Sequence, residues 1–306
     1  MKKLNSLYDW FYAPQSALVV AVYRIAIGTF LLLTVLLFYA YLDPYFSTGG
    51  YVTKEYAATV MAPNSFSIFF WNDSSLFVHA MYLLLVVSCI SFITGVGSRL
   101  SGILCYVLYL SFYNRFTGIG YDGSTVLIIA FFFTLFLETD RALTPRWYQR
   151  WRAPTSNVPG WPVRLIQIQL ATIYMFAAMA KMRGDGAWLD GTQVVNSLTW
   201  QYATFNLWWL SLLPFLNNIL TLGTVFLEFA FPFMVWRPQT RPPEVYGMFI
   251  LHIATAIFMN VTYFGEVMAS CLILCLTGSE IRQFFAFLKR LGKGVHCMVT
   301  TIRTNP

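Results

Sequence analysis

The chain has 306 residues, of which 58% are apolar or aromatic and 11% are charged, against roughly a quarter charged in a water-soluble domain. That leaves too little polar surface to cover a soluble globule, and the 18% share of Phe, Trp and Tyr suits rings that settle at the lipid headgroup level. The net charge of +7 comes from basic residues dispersed at the edges of apolar segments, a pattern of membrane topology and anionic-lipid contact rather than of nucleic-acid binding.

Eight apolar segments follow in chain order, at residues 17–41, 76–94, 100–113, 124–137, 163–182, 215–236, 245–263 and 267–276. A helix of about 20 residues crosses a hydrocarbon core of about 30 Å, and none of the segments alternates as a barrel strand would. The predicted fold is therefore all-α: a polytopic transmembrane helix bundle of about eight spans over residues 1–278, with a basic amphipathic tail at 279–306. The first segment is longer than a secretory h-region and has no nearby small-residue cleavage site, so it reads as a signal anchor.

Alternate loops differ in charge. One set carries Lys2, Lys3, Arg99, Arg141, Arg146, Arg150, Arg152, Arg237, Arg241, Arg282, Lys289, Arg290, Lys293 and Arg303, and the other only Lys54, Arg115, Lys181 and Arg183. Short basic loops stay cytoplasmic, which predicts cytoplasmic termini and a multi-pass protein of the cell membrane. On the outer side, residues 42–75 and 183–205 mix aromatics with turn residues and are expected to lie along the interface or cap the bundle. The tail repeats Ile281, Phe284, Phe285, Leu288 and Leu291 against Arg282, Lys289, Arg290 and Lys293, as in a helix lying on the inner leaflet.

Cys89, Cys105, Cys271 and Cys275 fall inside segments and form no disulfide framework. His79, His252 and His296 are too scattered to hold a metal.

Ionisable groups at membrane depth each need a partner or a cavity. Arg24 and His252 lie about seven residues in from the cytoplasmic end of their segments, and Glu228 about fourteen in from the outside, which at 1.5 Å per residue puts all three in the inner half. Arg24 and Glu228 are expected to form a buried ion pair, since a guanidinium binds a carboxylate in a fork. His252 is either a satisfied interhelical histidine or a catalytic one. Gln167, Tyr174 and Lys181, spaced by seven, share one helix face that leads to the outer mouth. Lys181 there is either a snorkelling lysine or an amine desolvated enough to act as a base.

The run IQIQLATIYMFAAMAKMRGDGAWLDGT from Ile166, with LEFAFP from Leu227, LHIATAIF from Leu251 and FGEVM from Phe264, resembles the horizontally transferred transmembrane (HTTM) domain family. That family includes vitamin K-dependent γ-carboxylase and bacterial peptide-toxin maturation membrane proteins. The resemblance implies that Lys181 deprotonates a reduced, vitamin K-like quinone. His252 is a further candidate catalytic residue, and Tyr174, Trp188, Asp122, Arg115, Asp185 and Asp190 are candidates for lining the substrate mouth. Two departures stand out. The stretch 113–127 has no histidine where the carboxylase is expected to have one, and about thirty residues follow the last segment, so glutamate carboxylation is not expected. The alternative is a non-catalytic membrane partner for maturation or export of a peptide or protein, or a small transporter.

Overall fold

The computed structural model describes residues 2–61, 65–116, 122–184, 186–201, 203–259 and 263–303. An amphipathic helix α1 (Lys2–Tyr12) leads into strand β1 (Gln15–Ser16) and helix α2 (Ala17–Leu37). Two short helices, α3 (Leu42–Phe46) and α4 (Lys54–Val60), precede the hairpin of α5 (Ser75–Thr94) and α6 (Ser98–Arg115). After α7 (Asp122–Thr134), strand β2 (Asn157–Val158) pairs antiparallel with β1, Gln15 opposite Val158 and Ser16 opposite Asn157. The second half contains α8 (Trp161–Arg183), α9 (Gln193–Thr199), α10 (Pro214–Met234), α11 (Arg241–Met259), α12 (Phe264–Leu272) and α13 (Gly278–Arg303).

Among the described residues, five helices are by themselves long and apolar enough to cross a membrane: α2, α5, α8, α10 and α11. Much of their apolar surface faces outward, including Leu83 on α5, Phe176 on α8, Phe226 on α10 and Ile250 on α11, as lipid rather than water as solvent requires. The segments expected as the third, fourth and eighth spans correspond to α6, α7 and α12, which do not meet that description. Helix α6 carries Arg99, Arg115 and three buried serines, Ser98, Ser101 and Ser111. Helices α7 and α12 have 13 and 9 residues and cover about 20 and 14 Å. Instead of facing lipid along a full span, α12 sits among α2, α7, α8 and α11, with Val267, Met268, Cys271 and Leu272 buried.

A short 3-10 turn (Ile273–Cys275) ends α12, and the chain then bends by 117° into α13. Ile281 is buried at the start of α13, while Phe284, Phe285, Phe287 and Leu288 are exposed along it. Thr277 and Glu280 form a capping box: the Thr277 amide donates to the Glu280 carboxylate at 2.6 Å and the Glu280 amide to Thr277 Oγ1 at 3.3 Å, which satisfies donors that a helix start otherwise orphans.

The α5–α6 turn fixes Arg24. Gly95 takes φ +80° and donates to the carbonyls of Ser91 and Phe92, with Val96 returning to Ser91, a left-handed cap that favours glycine. A Cβ at Gly95 would fall 2.5 Å from Nη1 of Arg24. The guanidinium occupies that space and donates to the carbonyls of Thr139 (2.5 Å), Ala142 (3.3 Å) and Leu143 (2.8 Å). Arg24 is fully buried and ties α2 to the loop after α7.

At the opposite end, residues 42–61 and 65–75 are clasped onto the last turns of α6. Ser67 donates to the Ser111 carbonyl at 2.7 Å and Asn114 to the Phe66 carbonyl at 2.8 Å. Buried Arg115 donates to the Val52 carbonyl at 3.0 Å and lies 3.8 Å from Asp73, which also pairs with Lys54 at 3.0 Å and accepts from Thr48 at 2.7 Å. Burial pushes the Asp73 carboxyl up, but the hydrogen bonds of Thr48 and Lys54 and the charges of Lys54 and Arg115 outweigh it and hold the group below its ordinary value. A carboxyl depressed on folding stabilises the protein above its unfolded pKa of about 3.9 and loses that contribution as pH falls through the folded value. Asp73→Asn is therefore expected to lower stability at pH 7 by about 1–3 kcal/mol. The gap between variant and wild type should close below about pH 3, read by thermal melting in detergent across pH.

Candidate functional site

Lys181, Glu228, Tyr174 and His252 gather where α8, α10, α11 and α12 meet. Lys181 stands in the last turn of α8, and its ammonium donates to both carboxylate oxygens of Glu228, at 2.6 and 2.5 Å. The Trp188 ring lies 4.9 Å from the Lys181 nitrogen, a cation–π contact. The pair is partly shielded, the two side chains being 20% and 10% exposed.

Local sequence produces this arrangement. Pro232 sits inside α10 and has no N–H, so the Glu228 carbonyl four residues earlier cannot receive its helical hydrogen bond. After α8 the chain turns at Gly186 (φ +90°), whose carbonyl accepts from the amides of Leu189 and Asp190 at 2.8 Å. That turn folds Trp188 back over Lys181. Gly191, at φ +83°, lies against α10 so closely that a Cβ would meet the Asn218 side chain at 2.3 Å.

The depth of the pair is set by α9. Its first-turn amides at Val194 and Val195, orphans by helix geometry, donate to Thr221 Oγ1 (3.1 Å) and Asn217 Oδ1 (3.0 Å) on α10, and Asn217 donates in turn to the Gly191 carbonyl at 2.7 Å. The first two turns of α10 therefore rise past the end of α8 under a protein cap. Glu228 comes level with Lys181 as a result.

This corrects the expected Arg24–Glu228 ion pair. Three loop carbonyls hold the Arg24 fork, and the Glu228 carboxylate is held by Lys181. Nor do Arg24, Glu228 and His252 form one cluster. The buried His252 ring accepts from, or donates to, the Tyr174 hydroxyl at 2.8 Å. Phe231 and Phe264 enclose the Tyr174–His252 pair. Seven residues before Tyr174, Gln167 donates to the Leu274 carbonyl at 2.7 Å, so each member of the α8 polar face engages a neighbouring group.

Two of the other expected mouth residues have partners elsewhere. Arg115 belongs to the Asp73 clasp. Asp190 is exposed and accepts from the amide and hydroxyl of Thr192 at 2.9 and 2.6 Å, shaping the turn. Asp185 and the side chain of Asp122 lie outside the described residues. A cavity of about 100 Å³ at the same end, walled by Phe38, Phe46, Tyr109, Phe112 and Tyr263 among others, is bordered by none of the Lys181 group. Among the described residues no cluster of His, Cys, Asp and Glu could hold a metal ion.

An ammonium and a carboxylate in contact at a half-shielded helix end can do two things to a hydroxyl ligand. The carboxylate can accept the ligand's proton, and the ammonium can pair with the oxyanion left behind. Comparison with known proteins found no match among curated proteins and none among solved structures. The family model described as the HTTM domain matches residues 12–279, almost the whole of the helical bundle, and the chain belongs to that family.

Proposed function

We propose that this HTTM-family membrane protein is an enzyme acting on a lipid-soluble ligand with an acidic hydroxyl, of reduced-quinone type, beside Lys181. The observation that carries this reading is the contact of the Lys181 ammonium with Glu228 beneath the Trp188 ring. The base is the pair rather than the lysine alone. A ligand hydroxyl gives its proton to the Glu228 carboxylate, and the O–H electron pair stays on the ligand oxygen. The Lys181 ammonium then exchanges its contact with Glu228 for one with that oxyanion. The total charge of the site is unchanged by the step. An oriented acid–base pair of this kind contributes on the order of 10²–10⁴ in rate. Tyr174, two turns before Lys181 on α8, and its hydrogen-bonded partner His252 on α11 order the floor beneath the pair. Cytoplasmic termini and an outward-facing Lys181 complete the proposal, supported by the loop-charge asymmetry.

The test is quinone retention. Wild type, Lys181→Met/Glu228→Leu and Lys181→Arg are expressed in a naphthoquinone-producing host and purified in mild detergent, and quinone per protein is measured after extraction. The expectation is enrichment well above the lipid background in wild type, at least tenfold loss in the double variant, and partial retention in Lys181→Arg. Equal quinone in wild type and a folded double variant would overturn the reading in favour of a pair that only joins helices, as in a non-catalytic partner for peptide maturation or export.

A further inference from the structure

A second polar site lies at the other end of the bundle. A cavity of about 450 Å³ opens between the start of α8, the end of α10, the start of α11 and the α12–α13 bend. Its polar wall is made by Arg164, Arg241, Gln167, Ser16 and Thr277, and no carboxylate is among its lining residues. Its apolar flank is Trp10 and Trp236, packed edge to face at 5.2 Å.

The two arginines differ. Arg241 donates to Glu280 at 2.9 Å and to the Cys275 carbonyl at 3.1 Å. Glu280 is further occupied by the Thr277 amide and hydroxyl. Arg164 has no carboxylate partner among the described residues. It lies over the Trp10 ring at 4.7 Å and donates to Gln167 at 2.8 Å and, at 3.4 Å, to the Trp10 carbonyl. These contacts fix the plane of the guanidinium without neutralising it. Glu244, a turn beyond Arg241 on α11, does not line the cavity.

We infer that this cavity binds a phosphate group, with the Arg164 fork as its principal ligand and Arg241, Ser16 and Thr277 around it. A planar guanidinium that is held in position but lacks a counter-ion matches the paired oxygens of phosphate. The volume accommodates the phosphate together with a small polar substituent such as glycerol. The same chemistry is offered by a phospholipid headgroup and by a soluble phosphate ester. The tryptophan flank and the adjacent amphipathic α1 and α13 place the cavity where headgroups lie.

Native mass spectrometry of the full-length protein tests this with dioleoylphosphatidylglycerol, dioleoylphosphatidylcholine, inorganic phosphate and glycerol 3-phosphate as probes. Wild type should retain one phosphatidylglycerol through detergent removal. Arg164→Gln should weaken that binding at least tenfold, Arg164→Lys less, and Arg99→Gln, at an exposed arginine remote from the cavity, less than twofold. Pro238→Glu, which adds a carboxylate at the exposed rim, should also weaken it and provides the reading if Arg164→Gln does not fold. If glycerol 3-phosphate or inorganic phosphate binds with this same mutational pattern and phosphatidylglycerol does not, the site stands and its ligand is soluble. If no phosphate-bearing probe distinguishes Arg164→Gln or Pro238→Glu from Arg99→Gln, or if phosphatidylcholine binds as well as phosphatidylglycerol and is equally insensitive to Arg164, the inference fails. Quinone retention at Lys181 is measured on the same variants and should not change.

Discussion

Lys181→Ala and Glu228→Ala should each destabilise the bundle by about 3–5 kcal/mol, because either change leaves one shielded charge without its counter-ion. The Lys181→Met/Glu228→Leu double variant should recover most of that loss, since apolar groups of similar volume remove both desolvation costs together. Thermal melting of wild type, Lys181→Met, Glu228→Leu and the double variant in one detergent gives the double-mutant cycle. A strongly favourable coupling is expected, and additive losses would show that the 2.5 Å contact does not contribute to stability. The cycle also separates folding from function, because the double variant should be folded and yet carry no quinone. Lys181→Arg keeps the charge but changes its geometry, and should fall between wild type and Lys181→Ala in both measurements.

The second large effect is expected at Arg24. Arg24→Met retains length and apolar stem but withdraws the donors serving the carbonyls of Thr139, Ala142 and Leu143. Buried acceptors left unpaired cost about 1–3 kcal/mol each, so a loss of about 3 kcal/mol or more is anticipated. Gly95→Ala should reproduce part of it by two routes: strain at φ +80° and a methyl 2.5 Å from the Arg24 nitrogen. Limited proteolysis should then cut first between residues 138 and 146, where the loop is released from α2. Cleavage elsewhere with that loop intact would show that Arg24 does not hold it.

The sequence made some of these features legible and concealed others for identifiable reasons. Apolar runs located the long helices because lipid imposes a length and a polarity on any helix it touches. They overstated α7 and α12, since a helix wrapped by its neighbours satisfies the same apolar composition with fewer residues. The seven-residue spacing of Gln167, Tyr174 and Lys181 marked a polar face, and each of the three has a tertiary partner. The partner of Arg24 was invisible because backbone carbonyls carry no residue label.

Lys181 and Glu228 were kept apart by counting depth from the ends of their own segments. That count assumes every helix starts at the membrane surface. Asn217 and Thr221, polar and four residues apart near the start of α10, were the available sign that protein rather than headgroups covers its first turns, which moves Glu228 toward Lys181. The Arg164–Arg241 cavity had no sequence signal at all, because its wall is assembled from the starts or ends of six separate elements.

The enclosure of α12 bears on the order in which the chain is assembled. Its nine residues, from Phe264 and with Glu266 in the first turn, reach across only about half of a hydrocarbon core. Helix α12 is therefore held at membrane depth by its neighbours. It takes its place after α2, α7 and α8 have been inserted and α11 has entered ahead of it. The site at Lys181 cannot close until then, because α12 supplies Phe264, the ring that covers His252. In biosynthetic terms the site stays open until α12 has been made, and a chain ending before Phe264 would be anchored in the bilayer but without a finished site.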